Sequence, residues 1–351
     1  MTIIKQCVGI DISQTTFAVC ICFLEDTHDH HFSETRHFKN DKSGFNQLLR
    51  WVRKQCKSSV ETVYLMEATG VYYENLAYHL HKLKQTVHVV LPNTSKHYFS
   101  SLNIKTKTDA LDAKILSRFG VERKHKIWAP PSPVLLELRN LTRYYVQLQE
   151  TKTALNNIKH SKEAAYEVQS IILKSNRSLI KTIDKQIQVC KTSIEKLIAN
   201  EPQLNEKVRK VLTIKGVGLI TVATIITETL GFEHFKSIRQ VVSYAGYDVV
   251  ERQSGSSIKG KTRISKKGNR YIRNALYFPA MVSCRFNPSL KSTYLRIIQK
   301  KPSKMIGQVA IQRKLLALIY TLWKNDSEYI EGYKKEVASA IKTEATLDSS
   351  N

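Results

Sequence analysis

The sequence predicts an α/β domain, then a long helical spacer, then a mostly α region. Three observations predict that order. Short apolar runs alternate with helical patterns over the first 120 residues. No glycine occurs between Gly120 and Gly216. From Arg252 to Asn325 there is no Asp or Glu among 17 Lys and Arg. At 351 residues and 42% hydrophobic, the chain can hold two domains and a spacer. The boundaries read as 1–128, 129–204 and 205–330, with 331–351 a flexible tail.

"CVGID" reads as a strand ending at Asp11, with "TFAVCICF" (Thr16–Phe23) and "RHFKN" (Arg36–Asn40) as its hairpin partners. "KSGFNQLLRWVRKQ" has helical periodicity through Phe45, Leu48, Leu49 and Val52. "ETVYLMEATG" is a strand ending near Glu67, "VYYENLAYHLHKL" a helix, and "TVHVVLP" a strand stopped by Pro92. "KTDALDAKILSRFG" supplies a further helix. Helices after an opening meander imply a mixed sheet. Pro130, Pro131 and Pro133 then make a stiff linker. Leu141, Leu148 and Leu155 repeat at seven, and Ile183, Ile187, Cys190, Ile194 and Leu197 step by 4, 3, 4 and 3, which is coiled-coil spacing for antiparallel or intermolecular helices. Assembly is therefore expected through residues 134–200. "TIKGVGLITVATIITETLG" reads as two helices around a turn at Gly216 and Gly218, a helix-hairpin-helix-like arrangement that lets backbone N–H groups approach a phosphate.

The formal charge of +25, from 55 Lys+Arg against 30 Asp+Glu, calls for a polyanionic partner. A membrane is a poor candidate, because the apolar run Leu219–Ile226 is far short of the ~20 residues needed to span one. No signal peptide is visible and the six cysteines show no CxxC pair, so a cytoplasmic, nucleoid-associated protein with reduced thiols is expected. "HDHH" (His28–His31) reads as a solvated hairpin tip rather than a metal site. In the basic third region Tyr244, Tyr247, Tyr271, Tyr277 and Phe278 interleave with the cations, which suits a nucleic-acid surface.

Asp109 and Asp112 stand i, i+3 on one face of their helix. Asp109 alone could serve as an N-cap, which explains one aspartate and not both. Asp11 and Glu67 end strands expected to be neighbours. Four acids so gathered would bind hard divalent cations, and two ions would suit phosphodiester chemistry. Lys105, Lys107, Lys114 and Arg118 beside them would attract a nucleic-acid backbone.

"VGIDIS", "MEATGVYYENLAYHL" and "KTDALDAKILSRF" resemble the three acidic motifs of the DEDD transposases of the insertion-sequence 110 family. The stretch from "IKGVGLITVATIITETLGFEHF" to "SSIKGKTRISKKGNRYIRNALY" is similar to that family's second domain. The resemblance covers roughly residues 6–325. It implies a RuvC/RNase H-like N-terminal domain and an enzyme that recombines the ends of its own mobile element with target DNA. It also implies magnesium on Asp11, Glu67, Asp109 and Asp112, and a covalent phosphoserine link through Ser254. A structured guide (bridge) RNA and dimers pairing into tetramers are implied as well.

"RQSGSSIKGKTRISKKGN" offers Ser254, Ser256, Ser257 and Ser265. Ser254 is preferred because Gly255 lets the backbone turn sharply after it, and because it matches the family's serine. From Arg252 onward no nearby Asp, Glu or His can act as base, so activation must come from elsewhere and a composite site with the acids is expected. Lys261, Arg263, Lys266, Lys267 and Arg270 are the expected nucleic-acid contacts there. The competing readings are a metal-dependent Holliday-junction endonuclease using water, and a non-catalytic nucleic-acid-binding protein.

Overall fold

The computed structural model describes residues 1–106, 108–250, 253–254, 258–259, 263–300 and 303–331, with only the backbone at 253–254 and 258–259. Its two compact units are residues 1–130 and 131–351. The expected tail, Glu331 apart, lies outside the described residues.

Alternating burial organises the first unit. Along β1 (Ile3–Ile12), Val8, Ile10 and Ile12 pack into one cluster and Cys7 into another, the period of two that a strand imposes. A tight turn leads into antiparallel β2 (Thr16–Glu25), and β3 (His30–Phe32) and β4 (Arg36–Lys39) both pair with β2. After α1 (Lys42–Gln55), β5 (Thr62–Glu67) joins β1 in parallel with Ile10 opposite Met66. After α2 (Glu74–Lys82), β6 (Thr86–Val90) joins β5, giving the order β3-β2-β1-β5-β6, a mixed sheet as the pattern predicts. Leu48 and Trp51 of α1 and Leu76 and Leu80 of α2 cover the Val8–Ile10 face. Tyr98 of α3 (Pro92–Ser101) and Leu116 and Phe119 of α4 (Asp109–Glu122) join Cys7 and Leu65 on the other.

Two elements differ from the sequence reading. Pro92 does not merely stop a strand, for it occupies the first turn of α3, where its missing N–H costs nothing. "HDHH" is a tip only in its first half. His28 takes a left-handed backbone in the turn, whereas His30 and His31 belong to β3 and lie 3.3 Å from Glu122 and 3.5 Å from Glu25.

In the second unit α5 (Pro133–Glu163) and α6 (Ser170–Ala199) form an antiparallel pair. Lys152 meets Asp184 at 2.6 Å, Arg177 meets Glu163 at 3.2 Å, and the Cys190 thiol lies 3.3 Å from the Leu141 carbonyl. The heptad-spaced Leu148, Ile187, Cys190 and Ile194 thus face a helix of their own chain. Their core is shared with α7 (Pro202–Leu212), α8 (Leu219–Glu228), α9 (Ile238–Tyr244), α10 (Arg270–Phe286), α11 (Pro288–Lys300) and α12 (Lys304–Asn325), through Val211, Ile226, Val241, Leu276, Leu290 and Ile319. Between α9 and α10 stand four two-residue strands. β7 (Val249–Val250) pairs with β10 (Arg263–Ile264), and β8 (Gln253–Ser254) with β9 (Ile258–Lys259). All six cysteines are free, and among the described residues no helix is long and apolar enough to cross a membrane.

Candidate active site

Asp11 and Glu67 are placed by strand register. Since Ile10 is opposite Met66, the next residues on these parallel strands, about 4.8 Å apart, are Asp11 and Glu67. Both continue the odd-numbered face of Cys7 and Leu65, the face that α4 covers. Asp11 and Glu67 are half-buried.

Two glycines bring α4 onto this face. A Cβ on Gly9 would overlap the backbone of Ala113 and Ser117, and one on Gly120 would overlap the Cys7 sulfur. The helix therefore lies directly on β1 and runs against it, Gly120 beside Cys7 and Ala113–Ser117 beside Gly9. Two strand residues advance about 6.6 Å, the rise of about four helical residues. Asp11 is accordingly level with the first turn of α4, between Asp109 and Asp112. The N-cap is Thr108, whose hydroxyl accepts from the Leu111 amide at 3.2 Å, so Asp109 is not spent on capping. Both aspartates sit at the helix end that favours negative charge. Asp109 is exposed and Asp112 half-buried.

Glu67 is oriented by two hydroxyls. Thr69 donates to one carboxylate oxygen at 2.9 Å and Ser95 to the other at 2.5 Å. Ser95 is fully buried on α3. It escapes the sequence reading because its helix does, and the signal was available, since Pro is over-represented at the first position of a helix and Pro92 stands two residues past the strand.

The basic neighbours separate. Lys105 and Lys114 are exposed, with the Lys114 ammonium 4.5 Å above the Phe32 ring. Arg118 is occupied, its Nε donating to Glu122 at 2.6 Å. Burial pushes the Glu122 carboxyl up, but the bonds from Arg118 and Tyr98 outweigh it and hold the group below its usual range. Lys107 lies outside the described residues.

Four carboxylates are hard oxygen donors of the kind magnesium takes, and in that respect the residues fit the ion. Among the described residues, however, no group of three or more His, Cys, Asp or Glu is close enough to hold a metal. The backbone converges the acids without closing their side chains into a ligand set.

In the second unit Ser254 is opposite Ile258 in the β8–β9 pair, and its side chain, like Ser256, Ser257 and Lys261, lies outside the described residues. Ser265 is engaged locally, donating to the Gly246 carbonyl and accepting from the Lys267 amide, each at 3.3 Å. Arg263, Lys266, Lys267 and Arg270 are exposed around β10 and the start of α10, with Arg270 stacked 5.1 Å over Tyr271. Gly216, at φ 92°, is turned toward Val282 and Ser283 of α10, whereas open space surrounds the Cβ position of Gly218 at the N-cap of α8.

Comparison with known proteins adds to this geometry. A family model described as a transposase, of the DEDD type of IS110, matches residues 8–161. A second, described as a transposase of the IS116/IS110/IS902 family, matches residues 208–295. The pilin gene-inverting protein of Moraxella bovis is 30% identical over 327 residues, covering 93% of this chain and 98% of that one. A probable family 20 transposase of Pseudomonas aeruginosa is 23% identical over 46% of this chain and 47% of its own. Among solved structures, Thermus thermophilus RuvC aligns with 32% of this chain and 90% of its own, at 11% identity and a TM-score of 0.25.

Proposed function

The chain belongs to the IS110 family of transposases and is a DNA transposase or recombinase, and from that premise we propose that it cuts and rejoins strands through a serine. The Ser254 oxygen attacks a DNA phosphorus, forming a phosphoserine bond as one bond from phosphorus to a deoxyribose oxygen breaks. The serine proton leaves to a base outside the serine's own segment, which contains none. Asp11, Glu67, Asp109 and Asp112 would hold magnesium, which supplies Lewis-acid stabilisation of charge on phosphate oxygens when bound. The observation that carries the reading is the convergence of β1, β5 and the first turn of α4, which brings these four acids to one end of one sheet face.

Lys105, Lys114, Arg263, Lys266, Lys267 and Arg270 then serve as phosphate contacts, with the Gly216–Gly218 turn as a further backbone reader. A structured RNA guide and assembly as dimers and tetramers on element-end and target DNA complete the reading. Their support is the family itself and a net charge of +25.

Ser254→Ala is expected to eliminate a denaturation-resistant protein–DNA adduct while DNA binding persists. Asp11→Asn is expected to abolish cleavage and leave binding within about twofold, a difference of roughly 0.4 kcal/mol. DNA cut by wild type without any adduct would replace the serine with water, and full cleavage by Asp11→Asn would remove the acids from the chemistry. Replacing Lys266, Lys267 and Arg270 together with Ala should flatten the dependence of log K on log salt, by about 0.9 for each duplex phosphate left without its cation. An unchanged slope would take these side chains off the DNA.

A further inference from the structure

Glu228 ends the most apolar helix of the second unit, and its side chain is only 1% exposed. Both of its carboxylate oxygens are used. Arg143 of α5 donates from Nε to one at 2.6 Å and from Nη2 to the other at 2.9 Å, and Asn269 Nδ2 donates to the second at 2.6 Å. The Glu228 main-chain carbonyl accepts from the Tyr244 hydroxyl at 3.0 Å. Arg143 is held from another side by the Tyr271 ring, 4.9 Å from its guanidinium carbon. One buried glutamate, through its carboxylate and its main-chain carbonyl, thus joins α5, α8, α9 and the residue before α10.

A buried ion pair is a weak source of stability, since apolar groups of similar volume often serve as well or better. What the Glu228 pair does fix is geometry, and its geometry lies at the foot of the segment that carries Ser254. Asn269 accepts from the amides of Tyr271 and Ile272 at 2.9 and 3.2 Å, capping α10, while its own amide donates to the Tyr244 carbonyl at 2.8 Å. Above that link the outgoing and returning strands are laced together. Lys266 N donates to Gly246 O at 3.1 Å, Ser265 N donates to Asp248 O at 2.8 Å, and β7 pairs with β10. A Cβ on Gly268 would overlap the Tyr244 carbonyl and the Gly246 amide, so the legs cross in near contact. β8 and β9, with Ser254, lie between its two legs in the chain.

We propose that Glu228 is a positioning residue for the serine step: through Arg143 and Asn269 it fixes the foot of the β7–β10 stem that flanks Ser254 on both sides in the chain. The inference rests on Ser254 being the nucleophile. A stem that shifts by an ångström would move the serine hydroxyl out of attack geometry, a misplacement that costs about a hundredfold in rate. The long, flexible side chains of Arg263, Lys266, Lys267 and Arg270, by contrast, can follow the phosphates they contact.

The test exchanges the amide and the carboxylate. Asn269→Asp keeps the side-chain size and the cap acceptor but sets a second carboxylate against Glu228. Adding Glu228→Gln returns one amide, one carboxylate and the charge that balances Arg143. Adduct formation, DNA affinity and thermal unfolding are measured on the full chain for both variants and for Ser254→Ala. Asn269→Asp is expected to form adduct about a hundredfold more slowly with a far smaller change in DNA affinity, and the double variant to recover most of that loss.

A wild-type rate in Asn269→Asp overturns the anchoring role, and so does a double variant that folds but stays as slow as the single one. Where Asn269→Asp does not fold, the folded double variant alone decides, its near-wild-type rate supporting the role and its hundredfold loss refuting it. An adduct that persists in Ser254→Ala overturns the nucleophile assignment, and this inference with it. An adduct absent from Ser254→Ala but formed at full rate by Asn269→Asp overturns the anchor alone.

Discussion

The strand ends bearing Asp11 and Glu67 and the short ladder leading to Ser254 are held in place by different means. The acids stand on or beside a five-strand path, and α4 is seated on it with its backbone directly on Gly9 and with Gly120 making room for the Cys7 side chain. The serine lies in the chain between β7, whose Val249 and Val250 are exposed, and β10, and the foot of that pair is tied by polar side chains converging on Glu228. Packing places the first group and hydrogen bonding the second. Substitutions near the acids should therefore act through volume, and those near the serine through charge and donor pattern.

The strongest way to break this contrast is Gly9→Ala. The added methyl meets main chain of α4, which cannot swing aside as a side chain can. Overpacking of this kind costs about 1–3 kcal/mol, and the shifted helix would carry Asp109 and Asp112 away from Asp11. A lowered denaturant midpoint with loss of cleavage is expected, and an unchanged midpoint would mean that strand contact does not seat the helix. Ser95→Ala should act more gently. It removes one of the two hydroxyls on Glu67, and hydrogen bonds to charged groups contribute about 1.5–3 kcal/mol. Single-turnover cleavage should fall about tenfold and melting by a few degrees; equal rates would leave Ser95 a packing residue.

The smallest effects belong to the α7–α8 turn, where neighbouring glycines should differ. Gly216→Ala places a side chain in left-handed backbone against Ser283 and should cost about 1 kcal/mol or more, whereas Gly218→Ala meets open space and should stay within about 0.5 kcal/mol. Equal midpoints for the two would show that the turn relaxes freely.

The same contrast explains what the sequence disclosed. Asp11 and Glu67 were legible because strand periodicity and parallel order put both at the same end of the sheet. Asp109 and Asp112 were legible as an i, i+3 pair, although the capping role considered for Asp109 belongs to Thr108. Ser95 was hidden behind Pro92, which reads equally as the end of a strand and the opening of a helix. β3 is three residues of "HHF", too short to show alternation. Glu228 and Asn269 left almost no local trace, because they meet across 41 residues and Arg143 joins them from 85 residues away. The one hint was an acid closing an apolar helix shortly before a long acid-free stretch.

The order in which the acids occur along the chain bears on synthesis. Asp11 and Glu67 emerge from the ribosome early, and β1, β2 and β5 can pair as they appear. The helix that completes the set follows more than 40 residues after Glu67, and at about 5–20 residues per second that is an interval of seconds. Ser254 arrives later still. Under the proposed mechanism, the transposase gains its full set of acids and serine only late in its own translation. A chain cut short before α4 keeps Asp11 and Glu67 and lacks the serine segment, so under the proposed mechanism such a fragment would bind no complete metal set and form no adduct.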